Sequence, residues 1–371
     1  MSRIILQFGT SRFLQAHADL FLHEARLEGQ DVPPLVIVQT SGSADRAGRL
    51  AAFSDPSGFP VIIRGLEHGV SVERKIEVRS VERGLSVAQD WQEITSLFVE
   101  CADFVISNTG DSGYDVDAEN AGGDLDVTAP RTSFPGKLAQ LLQARFRHNA
   151  RPVTFLPCEL INRNGPVLKS IVRRFAESHG AEPAFLGWLD DKVIFANTLV
   201  DRIVSEAIEP AGAVAEPYAL WAIERLPGLT LPFSHPAIVL TDDLEPFERL
   251  KLHILNLGHT VLAGIWLSEK RASDETVREI LSDPAVRCRL ETVYSEEVVP
   301  GFAARDMEAE AESYIATTLA RFLNPYLEHR VADIAGNHAL KVERRIGAFL
   351  DWAGTPAPTL EAIVHSTIRK A

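Results

Sequence analysis

Apolar residues in the first half of the chain recur in two patterns. Short runs of aliphatic, β-branched and aromatic residues predict buried strands at residues 3–8, 35–39, 103–107 and 153–156. Apolar residues at helical spacing predict helices at residues 13–27, 91–99 and 137–147. Strands that alternate with helices favour a parallel sheet with helices on both faces, which is a doubly wound, Rossmann-like α/β fold.

The pattern changes after residue 206, where helical spacing predominates. Helices are predicted at residues 219–224, 247–266, 274–281, 286–299, 308–322 and 339–352. Prolines at positions 210, 217, 227 and 232 mark the transition. The β-branched segment 59–80 predicts a hairpin inserted in the first part. We therefore predict an α/β domain at residues 1–206 and an all-α domain at residues 207–371.

Composition and charge exclude several classes of protein. A chain of 371 residues suits two domains, and its formal net charge of -14 argues against a nucleic-acid partner. No apolar run reaches the roughly 20 residues that a membrane helix needs, and the first residues do not resemble a signal peptide. Three cysteines without a C-x-x-C motif favour neither a disulfide framework nor a zinc site. We expect a cytoplasmic protein with no metal and no membrane partner.

One acidic segment, at residues 115–126, has the carboxylate density of a calcium loop. Asn120 occupies the position of the turn glycine in such loops, and Asp126 occupies the position of the bidentate Glu. We therefore interpret the segment as a solvated surface loop.

The turn after the first strand is a candidate dinucleotide-binding turn. It contains Gly9, Thr10, Ser11, Arg12 and Phe13, but only the first glycine of the G-x-G-x-x-G fingerprint. A pyrophosphate would bind at the helix N-terminus, assisted by the two hydroxyls and the guanidinium. An ordinary strand-to-helix turn is an equally good interpretation from these residues alone.

The second strand ends without the carboxylate that usually binds the adenosine ribose of NAD. Arg46 and Arg49 follow and are suited to a 2′-phosphate instead. These residues therefore leave the choice between NAD and NADP open.

The strongest chemical signal lies in the segment FERLKLHILNLGHTVL at residues 247–262. At 100° per residue, and with Lys251 at zero, Glu248 lies near 60°, His259 near 80° and Asn256 near 140° on the helix. Leucine and isoleucine cover the rest, so we expect the helix, and Lys251 with it, to be buried. A buried lysine with a lowered pKa is a suitable acid/base for a carbonyl/alcohol pair, and Glu248 is suited to relay its proton. The alternative is a Glu248–Lys251 surface pair.

The spacing K-x-x-x-x-N-x-x-H of this segment resembles the signature of the mannitol dehydrogenase family, the polyol-specific long-chain dehydrogenases. Further ordered blocks are similar to those of the family: FGTSRFLQAH (8–17), SNTGDSGY (107–114), PCELINRNG (157–165), NTLVDRIV (197–204) and RFLNPYLEHRVADIAGNHALK (321–341). The resemblance spans nearly the whole chain.

The resemblance implies metal-independent hydride transfer between NAD, with NADP not excluded, and a linear sugar carbonyl. Residues 1–206 would bind the dinucleotide, with Asn108 and Thr109 at the nicotinamide end. Lys251 would be the catalytic acid/base, and Asn256 would polarise the oxygen. His259, Asn164, Arg321, Asn324 and His329 would contact the substrate, with Arg163 and Lys341 as further cations for a carboxylate. The resemblance also implies a monomer or a small homo-oligomer.

Leu160 stands where the polyol-oxidising branch of the family carries an Asn. This difference favours the branch that reduces keto-uronates, for example tagaturonate to altronate, over mannitol oxidation. Reduction of fructuronate and oxidation of a sugar alcohol remain alternatives within the family, so the expected partner is a sugar acid or a polyol. A nucleotide-binding sensor without catalysis is the alternative from another class.

Overall fold

The computed structural model describes residues 3–41, 47–67, 69–110, 112–116 and 125–368. Its contacts divide the chain into two compact units. The first comprises Met1–Ile63, Arg74–Ala215 and Ala219–Leu244, and the second comprises Arg64–Glu73, Glu216–Tyr218 and Glu245–Ala371. The first unit thus continues to Leu244, which differs from the domain boundary predicted after residue 206.

A six-stranded parallel sheet forms the centre of the first unit. Its strands are β1 (Ile4–Phe8), β2 (Leu35–Gln39), β5 (Val81–Ser86), β6 (Ala102–Ser107), β7 (Val153–Pro157) and β8 (Val193–Phe195). Their order is β5-β2-β1-β6-β7-β8, and every neighbouring pair is parallel. The chain leaves β1 to one side for β2 and returns to its other side for β6, so the strand order reverses at β1. The four predicted strands are confirmed.

Helices cover both faces of this sheet. They are α1 (Arg12–Gln15), α2 (Ala18–Leu27), α3 (Ala47–Phe53), α4 (Val87–Glu100), α5 (Phe134–His148), α6 (Asn164–Ser178) and α7 (Pro183–Lys192). Alternate residues of β1 belong to different apolar cores, with Leu6 and Phe8 in one and Ile5 in the other. The predicted doubly wound α/β fold is therefore confirmed.

The remaining strands described by the structure form two smaller sheets. One has the order β10-β11-β3-β4, with β3 (Phe59–Glu67), β4 (Val70–Val78), β10 (Val204–Ala207) and β11 (Ala213–Ala215). The other has the order β13-β12-β9, with β9 (Thr198–Asp201), β12 (Leu220–Glu224) and β13 (Ile238–Thr241). The hairpin predicted at residues 59–80 corresponds to β3 and β4. The helix predicted at 219–224 is wrong, because its backbone pairs with strands on both sides, and this pairing overrides the helix propensity of a six-residue segment.

The second unit is helical from Glu245 onward. Its α-helices are α8 (Glu245–Leu250), α9 (Leu257–Glu269), α10 (Val277–Ser282), α11 (Pro284–Val293), α12 (Val299–Ala303), α13 (Glu308–Phe322), α14 (Val331–Ala335), α15 (His338–Lys341), α16 (Ala348–Ala353) and α17 (Pro358–Ile368). Three π-helical turns lie between them, at Lys251–Asn256, Tyr294–Val298 and Val342–Gly347. The helical prediction for this part of the chain is confirmed.

The continuous helix Glu245–Glu269 is long and apolar enough to cross a membrane by length and composition alone. Its most apolar window is 67% buried inside the structure, as in the core helix of a globular unit. Ile254, Leu257 and Leu262 of this helix belong to the apolar core of the second unit.

Candidate functional site

The turn after β1 requires glycine. Gly9 has a φ of 121°, and a Cβ at this position would lie 2.3 Å from the backbone oxygen of Asn108. The close approach brings the carboxyl ends of β1 and β6 together at the point where the strand order reverses. In open α/β sheets this crevice binds the dinucleotide. The turn therefore fits a dinucleotide cofactor although it lacks the second and third fingerprint glycines.

The polar side chains of this turn are already bound within the first unit. Ser11 caps α1, and its hydroxyl accepts a hydrogen bond from the Leu14 backbone NH at 3.2 Å. Arg12 forms an ion pair with Glu209 at 2.5 Å and also donates to the Pro210 backbone oxygen. Arg12 thus links the turn to the 209–210 loop, and its role toward the pyrophosphate stays a prediction.

Two neighbours complete the turn. Thr10 is buried, and its backbone oxygen accepts a hydrogen bond from Arg49 at 3.1 Å. Phe13 stacks on the ring of His17 at 4.7 Å. Arg46, proposed above for a 2′-phosphate, lies outside the described residues.

The predicted nicotinamide-end segment is fixed by a buried carboxylate. Glu159 accepts hydrogen bonds from the backbone NH and the hydroxyl of Thr109, both at 3.1 Å, and from Ser107 and Tyr114 at 3.0 Å. Burial raises the pKa of Glu159, and its hydrogen bonds oppose the shift. The side chain of Asn108 donates to the backbone oxygen of Cys158 at 2.8 Å.

Sequence reasoning did not assign a role to Glu159. The sequence does contain a feature that could have indicated it: Glu159 is an acidic residue two positions after a buried parallel strand, at the carboxyl edge of the sheet where ligands bind. Glu159 thus holds Thr109, while the backbone of the preceding residue, Cys158, holds the side chain of Asn108.

Asn164 is not available to a substrate in this structure. Its Nδ2 lies 3.0 Å from the backbone oxygen of Thr198 and 3.2 Å from that of Glu159, while its Oδ1 accepts from the backbone NH groups of Gly165 and Thr198. The residue is 1% exposed. Asn164 therefore ties α6 to β9, and its predicted role in substrate binding is corrected.

In the second unit, the predicted catalytic segment contains a π-helical turn. Lys251 and Asn256 are its first and last residues. In an α-helix, the side chains of residues five apart point about 140° apart around the helix axis. A π turn, with its i→i+5 hydrogen bonds, has more residues per turn, so such side chains point closer to the same side. The angle between Lys251 and Asn256 is therefore smaller than in the α-helix predicted from the sequence. π turns of this kind are frequent at functional sites.

Neighbouring side chains bind the carbonyl groups around the π turn. The hydroxyl of Tyr294 donates to the backbone oxygen of Ile254 at 2.9 Å. Gly258 makes room for this hydroxyl, since a Cβ there would lie 1.9 Å from it. The backbone oxygen of Asn256 accepts from the Thr260 hydroxyl at 2.8 Å and from Arg345 at 3.4 Å. Sequence reasoning missed Tyr294, Gly258 and Arg345, because each acts through tertiary contacts.

His259 is the most buried member of the predicted catalytic set. It is 7% exposed, and its Nε2 lacks a hydrogen-bond partner among the described residues. Burial lowers the pKa of His259 well below its ordinary value, and the neighbouring basic side chains of His329 and Arg321 lower it further. The ring is therefore neutral near pH 7 and has an unsatisfied polar atom suited to a ligand hydroxyl or carbonyl.

The other members of the set are less buried. Lys251, Glu248 and Asn256 are partly exposed, so the expectation of a fully buried lysine is corrected. His329 lies beside His259, with ring centres 5.0 Å apart, and burial lowers its pKa. His329 and His259, which are both predicted to contact the substrate, are therefore neighbours in the structure.

Arg321 and Asn324 have other partners. The guanidinium of Arg321 binds both oxygens of buried Glu216, at 2.8 to 3.1 Å, and lies 4.4 Å from the ring centre of Tyr218. Asn324 is 1% exposed and binds the backbone of Arg64 and Tyr326. Glu216 neutralises Arg321 in this structure, and the role of Arg321 toward a substrate carboxylate stays a prediction. Both residues hold the 64–73 and 216–218 segments within this unit.

Metal-ligating side chains do not cluster in the described part of the chain, where no group of three or more His, Cys, Asp or Glu could hold an ion. The predicted chemistry of Lys251, Asn256 and His259 requires hydrogen bonds and proton transfer only.

A Rossmann-like unit and a helical unit of this kind are typical of a nicotinamide-dependent dehydrogenase that acts on CH–OH groups. Residues 3–230 match the family model of the mannitol dehydrogenase Rossmann domain, and residues 243–352 match that of the mannitol dehydrogenase C-terminal domain. The chain therefore belongs to the mannitol dehydrogenase family, and the resemblance inferred from its sequence blocks is confirmed.

Individual relatives agree with this assignment. The chain is 32% identical over 367 residues to the altronate oxidoreductase of Escherichia coli O7:K1 (strain IAI39 / ExPEC), covering 92% of this chain and 73% of that protein. The same values hold for the altronate oxidoreductase of Escherichia coli O1:K1 / APEC.

Two solved structures share the fold. A D-sorbitol dehydrogenase in substrate-free form has a TM-score of 0.75 at 18% identity, over 94% of this chain and 76% of that chain. The Pseudomonas fluorescens mannitol 2-dehydrogenase, in a ternary complex with NAD and D-mannitol, has a TM-score of 0.71 at 17% identity, over 100% of this chain and 80% of that chain.

Proposed function

We propose that this chain is a keto-uronate reductase that interconverts tagaturonate and altronate with NADH and NAD. The observation that carries the proposal is the polar set on helix 245–269, in which Lys251 and Asn256 are the first and last residues of a π turn and His259 is buried three residues later. The unsatisfied Nε2 of His259 supports a ligand oxygen at this set. The similarity to proteins named altronate oxidoreductase supports the substrate class.

The residues of the second unit perform the proton transfer. When bound, NADH supplies the hydride that adds to the ketone carbon. Lys251 donates a proton from Nζ to the ketone oxygen, so that ketone, NADH and one proton become alcohol and NAD. Glu248, three residues before Lys251, returns a proton to the lysine from solvent.

Asn256 and His259 stabilise the reacting oxygen. Negative charge grows on this oxygen as the hydride arrives, and hydrogen-bond donors that already face it lower the barrier. A neutral imidazole is suited to this role because it donates one hydrogen bond without competing with Lys251 for the proton. The low pKa of His259 supports the neutral form.

The first unit binds the cofactor in this proposal. Gly9 permits the close approach of backbone that a pyrophosphate needs. Glu159 fixes Thr109, and the Cys158 backbone fixes Asn108, for the nicotinamide end. Because Ser11 and Arg12 already have protein partners, backbone NH groups of the turn are the expected pyrophosphate donors.

The test is oxidation of NADH and NADPH by the purified protein with tagaturonate, fructuronate, fructose and fructose 6-phosphate. We expect turnover with tagaturonate and NADH. Turnover confined to fructuronate would assign the alternative keto-uronate, and turnover with fructose would assign the polyol branch. Cofactor binding without turnover of any of these would favour the non-catalytic sensor.

A further inference from the structure

In the part of the chain that the structure describes, two cations of the second unit, Lys341 and Arg345, form no ion pair with a carboxylate. Lys341 donates from Nζ to the backbone oxygen of Ile334 at 2.7 Å. Arg345 lies one helical turn later, and its Nη1 is 3.2 Å from the Thr260 hydroxyl and 3.4 Å from the Asn256 backbone oxygen. Within the described ranges, neither side chain forms an ion pair with a carboxylate. Both cations are therefore available to an anion.

Arg345 differs in this respect from the other arginines that follow residue 245. Three of them with low exposure are paired with carboxylates, namely Arg249 with Glu245, Arg271 with Glu275, and Arg321 with Glu216. Those that lack such a pair in the described structure, apart from Arg345, are exposed to solvent: Arg278, Arg305, Arg330 and Arg344. A half-buried guanidinium without a counter-ion loses hydration and gains no ion pair in return. A ligand carboxylate would supply the missing charge.

These cations act on the predicted reaction site. The pKa of His259 is lowered first by burial and then by His329, Arg321, Arg345 and Lys341, all of them basic groups. Glu216 neutralises Arg321, so the charges of Lys341 and Arg345 remain. The contact of Arg345 with Asn256 and Thr260 places this positive charge directly beside the helix that carries the reacting set. Such a site attracts anions and disfavours cations.

We propose that Lys341 and Arg345 bind the carboxylate of an open-chain sugar acid whose carbonyl oxygen lies at Asn256 and His259. The inference rests on the proposed function, because it assigns the carboxylate of the same substrate. A guanidinium presents a planar fork that matches both oxygens of a carboxylate, and an ammonium adds a point charge. The pair selects sugar acids over neutral sugars, the role expected above for Arg321.

The test compares a sugar acid with its neutral analogue. Altronate and altritol are titrated into the NAD-loaded protein by calorimetry, for the wild type and for Arg345→Gln and Lys341→Gln. Charge-assisted hydrogen bonds of this kind correspond to about 10- to 100-fold in affinity. We expect each variant to lose about that factor for altronate and less than about threefold for altritol. Arg344→Gln is the matched control, since it removes an exposed neighbouring charge, and it should change neither affinity.

The outcomes separate this inference from the proposed function. Equal losses for altronate and altritol in Arg345→Gln would mean that Arg345 only supports the π turn, and would overturn the inference. Absence of altronate binding to the wild type would also overturn it. Altronate binding that depends on Arg345, without turnover of any keto-uronate, would support the inference while the proposed function fails. Turnover of tagaturonate that is unchanged in both variants would support the function and overturn the inference.

Discussion

Arg321 and Glu216 form a buried, two-pronged ion pair, although 105 positions separate them in the chain. The side chains are 3% and 1% exposed, and three nitrogen–oxygen distances lie between 2.8 and 3.1 Å. A pair so enclosed cannot exchange its partner for a substrate carboxylate without leaving a bare charge inside the protein. The pair therefore joins the 216–218 segment to α13.

Replacing Glu216 with Gln should destabilise the second unit. The substitution leaves the guanidinium of Arg321 buried without a counter-charge, which costs about 3–5 kcal/mol in the free energy of unfolding. Urea denaturation measures the loss. Glu291→Gln is the control, because it breaks the exposed Arg287–Glu291 pair and should cost less than about 1 kcal/mol. Similar stabilities of the two variants would contradict this account of the buried pair.

Replacing Lys251 with Met should remove the proton donor and leave cofactor binding intact. We expect kcat to fall by about 10²- to 10⁴-fold, the usual contribution of a general acid or base. Lys251→Arg should be similarly inactive, because a guanidinium keeps its proton at neutral pH. NADH affinity, measured by fluorescence titration, should stay within about twofold of the wild type. Equal losses in NADH affinity and turnover would assign Lys251 to the cofactor site instead.

The elements that could be predicted from the sequence are those with a regular pattern of apolar residues within a short segment. The strands around Leu6, Val36 and Val105 are short apolar runs with clear ends, and α13 has an uninterrupted helical period. The region of β12 was misassigned as helix because its strand character comes from β9 and β13, which lie elsewhere in the chain. Pairing of this kind leaves no local pattern to read.

As with the fold, only the local part of the candidate site could be predicted from the sequence. Lys251, Asn256 and His259 lie on one helix, so their spacing was enough to predict that they share a region of its surface. The roles of Arg12, Asn164 and Arg321 were not predictable, because each side chain is bound by a distant partner. The π turn was not predicted from the sequence, and it contacts Tyr294, which lies 40 positions from Ile254 in the chain.

The π turn supplies a second stability prediction. Tyr294→Phe removes the hydroxyl that binds the backbone oxygen of Ile254, and leaves that buried oxygen without this partner. We expect a loss of about 1–3 kcal/mol in the free energy of unfolding, and a lower kcat with unchanged NADH affinity. Denaturation and steady-state kinetics measure the two effects. A Tyr294→Phe variant with full kcat would show that the turn does not depend on this contact.

Gly258 and Tyr294 should be energetically coupled. Gly258→Ala places a Cβ 1.9 Å from the Tyr294 hydroxyl, so it should destabilise the protein. Gly264→Ala in the same helix is the control, since its Cβ would lie 3.4 Å from the nearest side-chain atom, and it should be neutral or stabilising by up to about 1 kcal/mol. In a Tyr294→Phe background the Gly258→Ala cost should shrink, because the clashing hydroxyl is gone. A double-mutant cycle measures this coupling, and strict additivity would contradict it.

Asp19 should make the stability of the first unit depend on pH. It is fully buried, and burial raises its pKa from 3.8 to about 8 against the opposing effect of a hydrogen bond with Gln7. The folded state therefore holds a proton that the unfolded state releases between about pH 4 and pH 8, and stability falls as pH rises through this window. Each unit of pKa difference corresponds to about 1.4 kcal/mol, so the total loss is several kcal/mol.

Asp19→Asn replaces the carboxyl group with an uncharged amide of the same shape. This variant should be equally stable from pH 5 to pH 8.5, while the wild type loses stability. Urea denaturation at both pH values measures the free energy of unfolding. Glu28→Gln is the control, because Glu28 is exposed at the C-terminal end of α2, and this variant should lose as much stability between the two pH values as the wild type. Parallel pH dependence of Asp19→Asn and the wild type would show that Asp19 ionises normally in the folded protein.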